Sequence, residues 1–245
     1  MAESIEKRRS NLALLPGIVD RPQRTLEQVL AYPRWRWVLP ALICLASIAI
    51  LLVVSLPYLT QQAQQQMASQ LSSLTDAQRQ QVQSQMDVFT GPLVLIGGGM
   101  VSSVLGLALG WLIGATILFF GLLIGGLEIG FSQIFAGVAW TWLPFGVRNL
   151  VNAGWAYFSG AAITNPGLSY FVATGDQAAD AKNLVWILAG QLDLFFLWHL
   201  VLVFFLIRAA KSRGGAVLLT LIYALLYLAL RVLPALGLSS LVPGA

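Results

Sequence analysis

From Val38 onward the chain is a succession of apolar runs, most of them about twenty residues long. Short polar stretches separate them. A helix rises about 1.5 Å per residue, so about twenty residues cross a hydrocarbon core of about 30 Å. In that solvent each backbone N–H and C=O must be satisfied within the segment, which runs of this length achieve as helices. Composition agrees. Only 10% of the 245 residues are charged, against about 25% in a soluble domain. Too little polar surface remains to cover a water-facing fold of this size. The fold class is all-α: a polytopic membrane protein.

The basic residues orient it. Seven of the fourteen precede the first apolar run: Lys7, Arg8, Arg9, Arg21, Arg24, Arg34 and Arg36. Basic flanks resist transfer across a bilayer, so this end is expected in the cytoplasm. Arg208, Lys211 and Arg213 form a second basic stretch, and placing both inside requires five crossings. The outer segments then hold only Arg79 and Lys182. The C-terminus falls outside, in a multi-pass protein of the plasma membrane. The net charge of +4 is spent on these flanks, so it reads as topology and not as nucleic-acid binding.

The expected spans are 38–58, 94–124, 134–156, 184–207 and 216–236. A lead of 1–37 precedes this 38–236 membrane domain, and a short exterior tail, 237–245, follows it. About 37 mostly polar residues precede the first run, so it reads as a permanent anchor rather than the core of a cleaved signal. The stretch 91–125 has 35 residues, too few for two spans and a turn, and is expected as one long or tilted helix.

Within the lead, Pro22 suits a first helical turn, and Leu26, Val29 and Leu30 share one face of a short amphipathic helix that Pro33 ends. Trp35 and Trp37, interleaved with Arg34 and Arg36, suit the headgroup layer, where indoles and snorkelling arginines both sit well. Residues 60–89 are rich in glutamine. Met67, Leu71 and Leu74, then Val82, Met86 and Phe89, recur at helical spacing, and Thr75 with Gln78 has the form of a capping box. The expectation is a short amphipathic helical hairpin on the outer surface, serving either as a solvated connector or as a contact for a partner or a second copy.

Two groups of residues stand out inside the spans. Ser102, Gly106, Gly110 and Gly114 lie four apart and put small residues on one helix face. Helices in lipid associate by close packing, and such a face permits it, within the chain or between copies. The second group is ionisable: Arg148, Asp193 and Arg231, all in the outer halves of their spans. Charges inside a membrane face the bundle interior or a wet cavity. Asp193 pairing with either arginine gives a fold-stabilising ion pair. Alternatively, the net positive cluster forms a polar cavity for an ion, a proton or an anionic lipid headgroup. His199 points to a different face from Asp193, since six residues turn a helix by about 240°. Beside Trp198 it reads as a packed or hydrogen-bonded interior residue. Cys44, the one cysteine, reads as a small buried apolar residue.

Enzyme chemistry finds little footing. One histidine cannot make a His-Glu-x-x-His zinc site. No Gly-x-Ser-x-Gly elbow occurs, and Gly97-Gly98-Gly99 lacks the Lys-Ser/Thr of a phosphate loop. Glu128 stands alone among the apolar runs. A non-enzymatic protein is expected, with no metal or cofactor.

The ordered pattern resembles a known family. Tyr32-Pro33-Arg34-Trp35 ends a basic lead, and a span with Pro40 in its first turn follows. Then come a glutamine-rich hairpin and a glycine-rich span, leading to Phe131-Ser132-Gln133-Ile134 and a span containing Leu143-Pro144. Last come Leu192-Asp193-Leu194-Phe195-Phe196-Leu197-Trp198, a basic turn and a final span. Over roughly 25–240 this is similar to the prokaryotic branch of the Yip family, the Ypt-interacting proteins. The resemblance implies five membrane helices, a cytoplasmic N-terminus and a short exterior C-terminus. Eukaryotic members act in vesicle trafficking with small GTPases. Their Asp-Leu-Tyr-Gly-Pro signature precedes the first span. Here the nearest match, Asp87-Val88-Phe89-Thr90-Gly91-Pro92, precedes the second and carries an extra residue. The resemblance therefore carries the fold and not the GTPase partnership. The expected role is membrane organisation or scaffolding. The alternative is a small transporter, channel or lipid-handling protein built on Arg148, Asp193 and Arg231.

Overall fold

The structure is a computed structural model that describes residues 10–71, 91–210 and 215–232. These residues form ten α-helices, one 3-10 turn and no strand. The lead contributes α1 (Asn11–Asp20) and α2 (Pro22–Ala31). The long helices α3 (Val38–Leu71) and α4 (Pro92–Ile124) follow. Next come α5 (Phe131–Thr141), α6 (Leu143–Ser159), the 3-10 turn Gly167–Phe171 and the short α7 (Gln177–Asp180). The chain continues through α8 (Leu184–Gln191), α9 (Leu194–Ala209) and α10 (Ala216–Val232).

Among the described residues, two helices are long and apolar enough to cross a membrane: α4 and the Val38–Gln61 part of α3. The pair α8 and α9 makes a third if its 62° bend lies within one crossing. Helix α10 is apolar but has 17 residues, at the lower limit of a spanning helix.

The chain divides into two compact units. One comprises Met1–Leu42, Gly110–Pro144 and Asn165–Ala245, the other Ile43–Leu109 and Phe145–Thr164. The first is built around α5. Ile134, Ala136, Gly137, Val138, Ala139 and Trp140 of this helix are all buried, so beyond its exposed first turn it is enclosed on every side. Helices α2 and α9 pack against it, and α9 also packs on α2 and α10. The approach of α9 is close: a Cβ on Gly137 would overlap the Leu206 side chain. The expected face of α2 is the one that docks, with Leu26, Val29 and Leu30 buried. Sequence reading does not foresee α1. It is capped by Ser10, whose Oγ accepts the Ala13 N–H at 3.3 Å, and it buries Leu14 and Ile18.

In the second unit α6 lies along α3. The Ser47 Oγ donates to the Cys44 carbonyl at 2.7 Å and accepts from Asn149 Nδ2 at 3.3 Å. Near the other end, the Tyr58 hydroxyl donates to the Ala156 carbonyl at 3.2 Å. Cys44 is buried, as expected.

Three expectations about continuity are corrected. The third span, 134–156, is not one helix. It breaks at Trp142, because the Pro144 ring cannot continue α5 but fits the first turn of α6. The fourth, 184–207, breaks at Leu192–Asp193. The freed Leu192 carbonyl is taken up by the Leu168 N–H at 3.1 Å, so the break is stabilised from outside the helix. The hairpin at 60–89 does not begin as a separate helix after Tyr58. Its first residues, without glycine or proline, extend α3 to Leu71. The rest of the expected hairpin, from residue 72, lies outside the described residues, as do the basic turn at 211–214 and the chain from 233.

Helix α4 ends where the sequence supplies the stop. Gly126 has φ +77°, and its N–H bonds the Leu123 carbonyl while Leu127 N–H bonds that of Leu122. This is a Schellman closure, which favours glycine in its left-handed position.

Candidate functional site

The lead is tied into the fold at the turn that follows α2. Tyr32 and Pro33 end the helix, and Arg36 N–H closes a turn on the Pro33 carbonyl at 3.1 Å. Trp35 adopts φ +64°, the one positive φ outside glycine among the described residues. A left-handed non-glycine residue costs about 1–2 kcal/mol. Adjacent side chains leave this turn for opposite environments. Trp35 is 63% exposed and Arg36 is 2% exposed.

Arg36 is therefore not the snorkelling arginine that its Arg-Trp-Arg-Trp setting suggests. Its Nη1 donates to Asn11 Oδ1 at 2.5 Å, and its carbonyl accepts from Trp140 Nε1 at 2.9 Å. Gln133 adds a second tie. Its Nε2 donates to the Leu30 carbonyl and its Oε1 accepts the Gly130 N–H, both at 2.8 Å. Between the lead helices, the start of α5 and the end of α9 lies a cavity of about 890 Å³, lined by Arg21, Arg24, Arg36, Glu27 and Glu128 among others. Sequence periodicity finds the α2 face but not this cavity, which depends on the inward turn of Arg36.

A second polar group sits deeper in the same unit. His199 is fully buried. A carbonyl can only accept, so Nδ1 donates to the Thr141 carbonyl at 2.7 Å. In the neutral ring that tautomer leaves Nε2 to accept from the Tyr223 hydroxyl at 3.1 Å. Phe196, Trp142 and Tyr227 enclose it with ring centroids 6.0 to 6.5 Å away. His199 is thus the hydrogen-bonded interior residue that the sequence suggests. It caps the carbonyl freed where α5 ends.

The Yip1 domain matches residues 17–233, most of the chain. The chain belongs to the Yip1 domain family. Neither curated proteins nor solved structures yield a match to it. The domain takes in α2 through α10 and begins within α1, so the docked lead is largely contained in it.

Within this Yip1 domain the predicted cluster is distributed over both units. Arg148 belongs to the second, its guanidinium 4.8 Å from the Phe145 ring centroid. Asp193 and Arg231 belong to the first. Asp193 is not a mid-helix charge. It is the N-cap of α9, accepting the Phe196 N–H at 2.7 Å. Capping satisfies an amide that the broken fourth span would otherwise leave open. Arg231 lies 5.2 Å from the Tyr227 ring centroid and donates to its hydroxyl at 3.0 Å.

The small-residue face of this Yip1 domain divides along α4. A Cβ on Gly110 would overlap the Trp142 indole, and one on Gly114 would lie 3.1 Å from the Tyr223 hydroxyl. Both glycines therefore admit close contacts within the chain. Gly106 has nothing within 4 Å of such a Cβ, and Ser102 is exposed. Gly110→Ala is expected to destabilise by about 1–3 kcal/mol, and Gly106→Ala to be neutral or slightly stabilising. Thermal unfolding of the two variants in detergent checks this; equal midpoints would contradict it.

Proposed function

We propose that this Yip-type membrane protein is a non-enzymatic organiser or scaffold of the plasma membrane, with five crossings, a cytoplasmic lead and an exterior C-terminus. The observation that carries the reading is the lead itself. Its helices α1 and α2 are a docked layer, tied through Arg36 and Gln133, rather than a free tail. On the same chain, Leu42, Val53, Val101, Leu105, Leu218 and Leu225 stand exposed on the apolar helices α3, α4 and α10, as side chains that face lipid would. The charge asymmetry supports the orientation. Trp35 and Trp37 at one end of a span, and Trp155, Tyr157 and Phe158 at the end of α6, are exposed, and aromatic side chains at helix ends suit a headgroup layer.

The test is reconstitution of the purified full chain into sealed vesicles, with proton and ion flux recorded. A scaffold leaves the vesicles tight, while affinity purification from native membranes recovers lipids or membrane proteins with it. A flux that Asp193→Asn abolishes in a protein that still folds would establish the transport alternative instead.

A further inference from the structure

The lead-side cavity combines charge of both signs at a level where membrane helices end. Its walls include Glu128, just before α5, and Ala209 and Ala210, at the end of α9. In the proposed orientation, on which this inference rests, that is the depth of the cytoplasmic headgroups. About 890 Å³ lies within the range of small-ligand pockets, about 300–1,000 Å³.

Three guanidinium and three carboxylate groups line it: Arg21, Arg24, Arg36, Asp20, Glu27 and Glu128. Most already have partners. Asp20 and Arg21 pair at 3.2 Å, Glu27 accepts from Gln23 Nε2 at 3.1 Å, and Arg36 holds Asn11. Arg24 and Glu128 have neither an ion pair nor a side-chain hydrogen bond among the described residues. One cation and one anion, both exposed on the same cavity, match a ligand that carries both charges. A purely anionic headgroup satisfies Arg24 and is repelled by Glu128. A headgroup with a phosphate and a primary ammonium satisfies both, and the ammonium donates three N–H bonds where a quaternary amine donates none.

We propose that this cavity binds the headgroup of a zwitterionic aminophospholipid, its phosphate at Arg24 and its ammonium at Glu128.

The experiment is native mass spectrometry of the full chain in detergent. It is titrated with phosphatidylethanolamine, phosphatidylcholine and phosphatidylglycerol of identical acyl chains, and with soluble glycerophosphoethanolamine. Retention of phosphatidylethanolamine is expected to exceed that of the other two by about tenfold, the weight of one charge-assisted hydrogen bond. Glu128→Gln removes that preference, and Arg24→Gln weakens all three lipids. Both positions are exposed, so both variants are expected to unfold at the parent temperature. Equal retention of the three lipids, or a preference that survives Glu128→Gln, overturns the site. Soluble glycerophosphoethanolamine binding as tightly as the lipid makes the ligand a free phosphoamine and overturns the lipid assignment. Vesicles that stay tight while lipid preference is absent remove this site alone and leave the scaffold reading standing. Ion flux removes the scaffold reading itself.

Discussion

Replacing His199 with alanine lowers stability by about 3–5 kcal/mol, read as an earlier thermal unfolding of the protein in detergent. Two effects add. The substitution opens a void among Phe196, Trp142, Tyr223 and Tyr227, whose rings enclose the imidazole. It also strips the Thr141 carbonyl and the Tyr223 hydroxyl of the bonds they make to His199. Water cannot replace those bonds in a fully buried site, so the desolvation cost is felt in full. Tyr223→Phe keeps the ring and the Thr141 bond but removes the hydroxyl that bonds Nε2, and is expected to cost about 1–2 kcal/mol. The double variant costs less than the sum of the two, because they share one bond. A parent-like midpoint for His199→Ala would leave the polar core without structural weight.

Gly167→Ala has the second large effect, about 2–4 kcal/mol. Gly167 holds φ +58°, and a Cβ there would lie 2.7 Å from the Leu192 carbonyl oxygen and 3.1 Å from that of Ala189. These are backbone atoms at the end of α8, and they cannot rotate aside as a side chain can. The turn that holds Gly167 also supplies the Leu168 N–H to Leu192, so the substitution loosens the 62° bend as well. Gly175 provides the control. Its φ is +87°, yet nothing lies within 4 Å of where a Cβ would sit. Gly175→Ala therefore carries only the conformational cost, about 1–2 kcal/mol. Equal losses at the two positions contradict the backbone overlap.

The lead is legible in the sequence because its signals are local. Pro22 opens α2, the 3.6-residue spacing of Leu26, Val29 and Leu30 marks the docking face, and Pro33 closes it. His199 is legible for a related reason: a lone imidazole in an apolar run needs partners, and it has two. The helix breaks are harder. Runs such as 184–207 are apolar on every face, so they carry no period whose interruption would show a break. Asp193 is visible, but inside a run long enough to span a membrane it reads as a buried charge. Only the backbone reveals it as a cap. Pro144 carries the same ambiguity, since proline is at home in a first turn and disruptive in a helix interior. Arg36 escapes sequence reading because its neighbours give an alternating Arg-Trp pattern. The left-handed Trp35 reverses the direction that the pattern implies. The cavity needs α1, α2, α5 and α9 at once, and no local spacing encodes such a contact.

Cysteine labelling from the two sides of the membrane tests the central claim, an odd number of crossings with the lead inside. On a Cys44→Ala background, one cysteine is placed at Ser10 and, in a second variant, one at Ser240. A membrane-impermeant thiol reagent is applied to intact cells. The account predicts that the cysteine at position 240 is labelled at once and that at position 10 only after permeabilisation. Labelling of both ends from the same side would contradict five crossings, and with them the cytoplasmic placement of the docked lead.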